Sequence, residues 1–292
     1  MLPQTFTPEL MKRLELFQLS ARRSFLGNRQ GGHLSLRRGH GLEFSDYRQY
    51  EPGDNPRHID WGLYGRTDRL YVKRFREETS LHLLLVVDGS SSVIAQPGDQ
   101  KWERSRDIAL ALGYIASMSR DTISLLVPGI FSGPTVGGPN AVHHLAQQFR
   151  AITPGGLNNI DQSVARSLSE LSTPGLVVVI TDCLMAIDKL AALSQVIRSR
   201  SFDGTLVCVS GAHDSDPFPQ NGGYELVDSE DSSSRRVFVD DELRRLYQER
   251  YTAHISSIKK LMISNQIHTC LNTDYNIGDF IAAELSKTGL VQ

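Results

Sequence analysis

A chain of 292 residues with 40% apolar content can bury a sizeable core, and its length allows one large domain or one domain with a smaller appendage. Lysine plus arginine number 31 against 33 aspartates plus glutamates, so the net charge of −2 provides no global field for a polyanion, and no nucleic-acid partner is expected. No run approaches the ~18 apolar residues that cross a bilayer, and the amino-terminal stretch lacks the layout of a signal peptide, so a cytoplasmic chain without a transmembrane segment is expected.

In chain order, Thr7 and Pro8 open an amphipathic pattern carried by Leu10, Leu14, Phe17, Ala21 and Phe25, with Gly27 as its stop. Residues 28–78 are rich in glycine, arginine and scattered aromatics. They predict turns and short strands, of which RLYVKRF (69–75) is the best candidate. From residue 81 the rhythm becomes strand, helix, strand. The apolar runs at 81–87, 122–127, 175–181, 204–210 and 267–271 read as buried strands, and helical patterns fall at about 101–119, 140–151, 160–172, 188–200, 241–265 and 276–287. DSEDSSSRR (228–236) predicts an exposed turn. Cys183, Cys208 and Cys270 lie in apolar runs without a CxxC partner and are expected to be reduced core residues. Alternation of strands with helices of this length predicts an α/β fold, a doubly wound, mostly parallel sheet of Rossmann or von Willebrand A type (79–292), preceded by a small loop- and strand-rich segment (1–78).

LLLVVDGSSSV (83–93) runs from a buried strand straight into an acid and three serines. In a doubly wound sheet, ligands collect at the carboxyl ends of the strands, where the winding reverses. Asp88, Ser90 and Ser92 put one carboxylate and two hydroxyls on a single turn there, and Asp182 ends the strand LVVVITD. If the sheet reverses between these strands, the two acids lie side by side. Their all-oxygen donor set suits a hard divalent cation such as Mg²⁺. The same letters also read as a plain turn with a helix cap, which leaves a metal-free scaffold as an alternative.

The arrangement resembles the metal-ion-dependent adhesion site of von Willebrand factor A domains. The resemblance implies Asp88, Ser90, Ser92 and Asp182 as metal-site positions, with the open coordination position taking a carboxylate from a partner protein. PGGLNNI (154–160) stands where that family has a Gly-Gly-Thr loop, but Leu157 replaces the threonine. Leu157 predicts weak or absent Mg²⁺ binding, with Asn158 or Thr153 as compensating donors.

Residues 37–78 carry Gly39-His40-Gly41-Leu42-Glu43-Phe44, Asp46-Tyr47-Arg48, Tyr50-Glu51-Pro52-Gly53-Asp54 and Arg57-His58-Ile59-Asp60-Trp61, followed by Lys73 and Phe75. This block resembles the signature of a bacterial family catalogued as domain of unknown function fifty-eight. The resemblance implies a von Willebrand A-like domain acting with a MoxR-type AAA+ ATPase in chaperone-like maturation or regulation of client proteins, with no catalytic activity. Within the block, acids interleaved with Arg48, Arg57 and Arg66 predict bidentate ion pairs that hold a loop-rich segment onto the sheet domain without a large core. The alternative is that Arg48, Arg57 and Trp61 face outward and bind a partner.

Enzyme motifs are missing from the sequence. DGSSS is not a Gly-x-Ser-x-Gly elbow, no HExxH occurs, and no glycine pair continues as GxxxxGK[ST], so nucleotide chemistry would have to come from a partner. A divalent-metal hydrolase using Asp88 and Asp182 is the competing reading from another class.

Overall fold

The computed structural model describes residues 2–21, 30–35, 43–156, 159–171, 175–229, 233–272 and 276–292. The chain divides into two units, Met1–Arg22 with His82–Gln292, and Arg23–Leu81. The division differs from the expected boundary after residue 78 chiefly in assigning the amino-terminal helix to the sheet unit.

That helix, α1 (Pro8–Leu14), is capped by Thr7, whose hydroxyl accepts from the Leu10 N–H, and has Pro8 in its first turn. It is shorter than the apolar stripe suggested. Beyond Leu14 the backbone pairs with the carboxyl terminus instead: Gln18 and Gln292 exchange N–H to carbonyl bonds, and Ser20 donates to Leu290. Phe25 and Gly27 lie outside the described residues. Arg13 binds Asp279 at 2.8 Å, and Tyr114 donates to Glu15 at 2.8 Å, which explains why this end of the chain belongs with the sheet.

The smaller unit contains β1 (Gln30–Ser35), β2 (Glu43–Gln49), α2 (Trp61–Thr67) and β3 (Tyr71–Thr79), with an antiparallel sheet in the order β1-β3-β2. Asp60 caps α2 by accepting from the Leu63 N–H. The Arg48 guanidinium holds both oxygens of Asp54 at 2.6 Å and reaches Glu51 at 2.9 Å, so the expected arginine–carboxylate seam exists around this residue. Asp60 departs from the expectation. Its partners are Lys73 at 3.1 Å and the Tyr47 hydroxyl at 2.9 Å, while Arg66 donates to the Gly62 carbonyl.

The larger unit continues through β4 (His82–Val87), α3 (Ser91–Ile94), α4 (Lys101–Met118), β5 (Thr122–Val127), β6 (Phe131–Ser132), β7 (Val136–Gly137), α5 (Ala141–Arg150), α6 (Ile160–Glu170), β8 (Leu176–Thr181), α7 (Ile187–Ser199), β9 (Asp203–Val209) and α8 (Ala212–Ser215). It closes with the hairpin β10 (Gly222–Val227) and β11 (Ser234–Val239), then α9 (Asp241–Ser264), β12 (His268–Asn272), α10 (Ile277–Phe280) and α11 (Ser286–Thr288). The central sheet has the order β12-β9-β8-β4-β5-β6, with β7 also on β5. β4 pairs in parallel with both β5 and β8, β8 with β9, and β9 with β12; β6 and β7 run antiparallel to β5. The fold is thus α/β with a mostly parallel, doubly wound sheet, as the apolar runs predict.

Every residue of β4 and β8 is buried, the signature of strands covered by helices on both faces. Leu84, Val86, Val177, Val179 and Leu206 share one core cluster with Val164, Leu193 and Ile258 of the helices. α4 packs on β4 with Ile108, Leu112 and Ile115 fully buried. From β4 the chain steps to β5 on one side; the next parallel strand, β8, lies on the other side of β4, and β9 and β12 extend in that direction. The winding therefore reverses beside β4.

The cysteines require a correction. Cys183 and Cys208 are joined as a disulfide, Cα to Cα 5.6 Å, and only Cys270 is free and buried. Strand pairing sets Thr181 opposite Cys208, and a left-handed turn at Cys183, φ 61°, brings the two side chains together. The 25-residue separation gave no sign of this. Thiol titration of the unfolded, unreduced protein is expected to find one reactive thiol per chain and three after reduction; three before reduction would contradict the bond.

His82 opens β4 under the backbone of Gly175, where a Cβ would stand 2.1 Å from the His82 carbonyl oxygen. Its Nδ1 meets Thr122 Oγ1 at 3.0 Å, and Nε2 has no hydrogen-bond partner among the described residues. Burial pulls this imidazole from 6.5 down to about 4. Between those values the unfolded chain binds the extra proton, so His82 contributes stability that is complete above pH ~6.5 and lost toward pH ~4, about 3 kcal/mol in all. Urea melts across that window should show the loss in wild type and a flatter profile in His82→Gln.

Candidate functional site

At the reversal, backbone pairing carries β4 one step past its apolar residues. The Asp88 N–H donates to the Ile180 carbonyl at 2.8 Å. The Asp88 carboxylate is then closed in from both sides: Oδ1 accepts the Ser90 N–H at 2.9 Å, and Oδ2 accepts the Thr181 hydroxyl at 2.7 Å. Only 1% of Asp88 is exposed. Gly89 has no room for a Cβ, which would lie 2.6 Å from Val127 Cγ1, so the DGSSS turn sits hard against the end of β5. The Ser90 and Ser92 hydroxyls face each other at 2.9 Å; Ser90 is buried, Ser91 and Ser92 half-buried.

The Gly-Gly loop lies where the sequence suggested. Gly155 donates its N–H to the Gly89 carbonyl at 2.7 Å, and Gly156 donates to Ser91 Oγ at 2.9 Å. Both glycines have positive φ, 142° and 103°, which favour glycine. Leu157 and Asn158 fall outside the described residues, and Thr153 is exposed. Ser91, the one serine outside the Asp-x-Ser-x-Ser pattern, fastens the two loops together.

Asp182 comes directly after β8 and is also buried. Its Oδ1 accepts the Leu184 N–H at 3.1 Å, and its Oδ2 faces the Lys101 ammonium at 3.4 Å. Burial pushes this carboxyl up; Lys101 acts against the rise, the Asp88 charge adds to it, and hydrogen bonds from the Leu184 N–H and the Ser92 side chain oppose it. The four expected site residues are thus brought together. Two further residues, absent from the expectation, complete the cluster. Lys101, at the start of α4 and 2% exposed, also holds Asp214 Oδ1 at 2.8 Å. Burial alone would lower its ammonium, but Asp182 and Asp214 outweigh it and keep the group charged. Asp214 Oδ2 in turn accepts the Gly211 N–H, and Asp99 Oδ1 accepts the Ala212 N–H and meets His213 Nδ1 at 2.8 Å, which binds the end of β9 to the loop before α4. A lysine thirteen positions after Asp88 carries no motif; its strongest clue was its place at the start of a helix beyond the serine turn.

A hard divalent ion needs oxygens free to turn toward it. Here each oxygen of Asp88 and Asp182 already accepts a hydrogen bond or an ion pair, the two serine hydroxyls bond each other, and an ammonium stands beside Asp182. Among the described residues this arrangement fits a lysine-centred cluster better than a Mg²⁺ shell, because a cation at Asp182 would meet the Lys101 ammonium. Among the described residues, no group of three His, Cys, Asp or Glu side chains is arranged to hold a metal. Around the turn, Ile94, Ile130 and Leu184 are exposed to 41%, 36% and 40%, an apolar rim on a polar centre.

The candidate partner residues of the smaller unit differ among themselves. Arg48 is engaged with Asp54 and Glu51, Arg57 is exposed, and Trp61 is 61% exposed, edge-on to Tyr64 at 6.2 Å. Asp60 beside them is held down at about 2 by the Leu63 N–H, Lys73 and Tyr47.

The chain is similar to proteins known by sequence and by structure. The family model described as "Protein of unknown function DUF58" matches residues 46–257. Uncharacterized proteins of Mycobacterium bovis and Mycobacterium tuberculosis are 24% identical over 266 residues, covering 87% of this chain and 81% of theirs. Among solved structures, the conserved hypothetical protein BatB of Bacteroides thetaiotaomicron aligns with a TM-score of 0.40 and 13% identity, over 72% of this chain and 99% of its own. An aerotolerance-related membrane protein of Bacteroides fragilis aligns with 0.41 and 12%, over the same shares.

Thr181→Val keeps the shape of the strand end but removes the hydroxyl that satisfies Asp88 Oδ2 and accepts the Cys183 N–H. A loss of about 1–3 kcal/mol is expected in denaturant unfolding. An unshifted midpoint would mean that the bond does not hold Asp88 in place.

Proposed function

The chain belongs to the DUF58 family, and from that premise we propose that it is a non-enzymatic protein-interaction module whose recognition surface is the carboxyl end of the central sheet. The observation that carries this reading is the meeting of Asp88 and Asp182, on neighbouring strands where the winding reverses, with serine hydroxyls beside them and an apolar rim around them. Exposed apolar side chains gathered on one surface, here Ile94, Ile130 and Leu184, mark protein contact sites. The likeness to a von Willebrand A adhesion site is supported by the Asp-x-Ser-x-Ser turn and by the Gly155–Gly156 loop hydrogen-bonded to it. The weak or absent Mg²⁺ expected from Leu157 is supported by the ion pair between Lys101 and Asp182, which favours a metal-free form of the site over a metal hydrolase.

The partner we propose is a MoxR-type AAA+ ATPase, with which the chain would act in chaperone-like maturation or regulation of a client protein. The support is the family resemblance, together with a sequence that has no phosphate-binding loop of its own. Cytoplasmic placement belongs to the same proposal. Among the described residues no helix is long and apolar enough to cross a membrane, and in the cytosol the Cys183–Cys208 bond would belong to the minority of disulfides found there, most of which are catalytic or redox-sensing.

The test is co-purification of the full chain with a purified MoxR-type ATPase from the same organism. Ser92→Ala and Leu184→Asp change half-buried or exposed positions and should leave the circular dichroism spectrum intact while weakening retention roughly tenfold, about 1.4 kcal/mol. Equal retention of wild type and both variants would remove the strand-end surface as the contact.

A further inference from the structure

We propose that Lys101 is the resident cation of the strand-end site: held between Asp182 and Asp214, its ammonium provides the charge balance that a divalent metal would otherwise bring, so the site is organised without one. This rests on the reading of the strand end as the recognition surface, and it concerns how that surface is kept in shape.

Several independent observations converge on Lys101. An ammonium is among the costliest groups to bury, and one at 2% exposure survives only with close anionic partners. Lys101 has two, Asp214 at 2.8 Å and Asp182 at 3.4 Å, both nearly as buried as itself. The backbone is set for this placement: Gln100 takes a left-handed conformation, φ 47°, immediately before α4, so the helix begins with the lysine inside the cluster. Asp182 is also one of the two acids of the expected metal set, and one of its oxygens already faces the Lys101 ammonium while the other accepts the Leu184 N–H. A divalent ion at Asp182 would lie close to a fixed positive charge in a region shielded from water, where like charges repel far more strongly than in solvent. The pairing also has a mechanical consequence. Through Asp214, whose other oxygen accepts the Gly211 N–H, Lys101 ties the end of β8 to the end of β9 and to α8. Lys101 is therefore a positioning residue, acting on the surface through Asp182.

The experiment uses the full chain and Mn²⁺ as the probe. Wild type should show no saturable Mn²⁺ binding by electron paramagnetic resonance up to roughly 1 mM, and its melting temperature should not respond to Mn²⁺ or to EDTA. Lys101→Met leaves Asp182 and Asp214 without their cation; it should melt lower and recover by roughly 5–10 °C with Mn²⁺ at a hundredfold excess over its Kd. That recovery should vanish in Lys101→Met with Asp182→Asn. Saturable Mn²⁺ binding by wild type that is lost in Asp182→Asn overturns the proposal, and this titration decides the matter alone if Lys101→Met does not fold. A folded Lys101→Met chain that gains no Mn²⁺ response overturns it as well. Retention of the ATPase in EDTA supports the proposal. Retention lost in EDTA and restored by Mg²⁺ overturns the role of Lys101 while leaving the interaction surface standing, whereas retention indifferent to Ser92→Ala and Leu184→Asp removes the surface and leaves Lys101 to be judged by Mn²⁺.

Discussion

The bond from the Asp88 N–H to the Ile180 carbonyl extends the parallel pairing of β4 and β8 past the last apolar residue of β4, and the strand-end site depends on it. Two strands far apart in sequence become neighbours because β5 leaves β4 on one side and β8 returns on the other. The first residue beyond each of these strands is then obliged to occupy the same end of the sheet, and that residue is an aspartate in both cases. Had β8 joined the outer edge beyond β5, Asp182 would have stood beside a different strand and the serine turn would be an ordinary helix entry.

Two buried carboxylates side by side repel, and each is stabilised differently. Asp88 is surrounded by neutral donors, the Ser90 N–H and the Thr181 hydroxyl, which solvate its carboxylate without adding charge. Asp182 has one backbone donor and a full counter-charge from Lys101. That Asp182 still rises while Lys101 stays charged shows burial as the larger influence on the acid and the two-acid environment as the larger influence on the lysine. Breaking such a cluster at one member leaves an uncompensated charge, which is far costlier than the net gain from forming it. The cluster thus contributes more to the definition of one geometry than to overall stability.

The smaller unit is organised by short-range contacts. Arg48 reaches Asp54 six residues on, Asp60 caps its own helix at Leu63, and Tyr47 and Lys73, paired across β2 and β3, share Asp60. Interactions of this range can hold a glycine-rich segment with little core, and Ile59, Val72 and Leu81 are the buried apolar residues described in it. Trp61 and Arg57 are left at its surface, while Arg48 is drawn into the seam.

The five parallel strands, the five longer helices of the sheet unit (α4, α5, α6, α7 and α9) and the acid that ends each of β4 and β8 were legible in the residues alone, because burial on two faces demands unbroken apolar runs and a strand end beside a turn demands residues such as Asp, Gly and Ser. The Arg48–Asp54 seam was legible too, since its members are close in the chain. Tertiary structure alone decided the rest. It ended α1 at Leu14 by offering residues 18–20 a pairing with the carboxyl terminus, it joined Cys183 to Cys208 by setting neighbouring strand ends together, and it drove Lys101 into a cluster with Asp182 and Asp214. None of these has a local pattern. Each depends on which strand lies beside which, and that choice is made by the packing of the whole sheet, where the identity of a charged neighbour is set by topology and not by spacing.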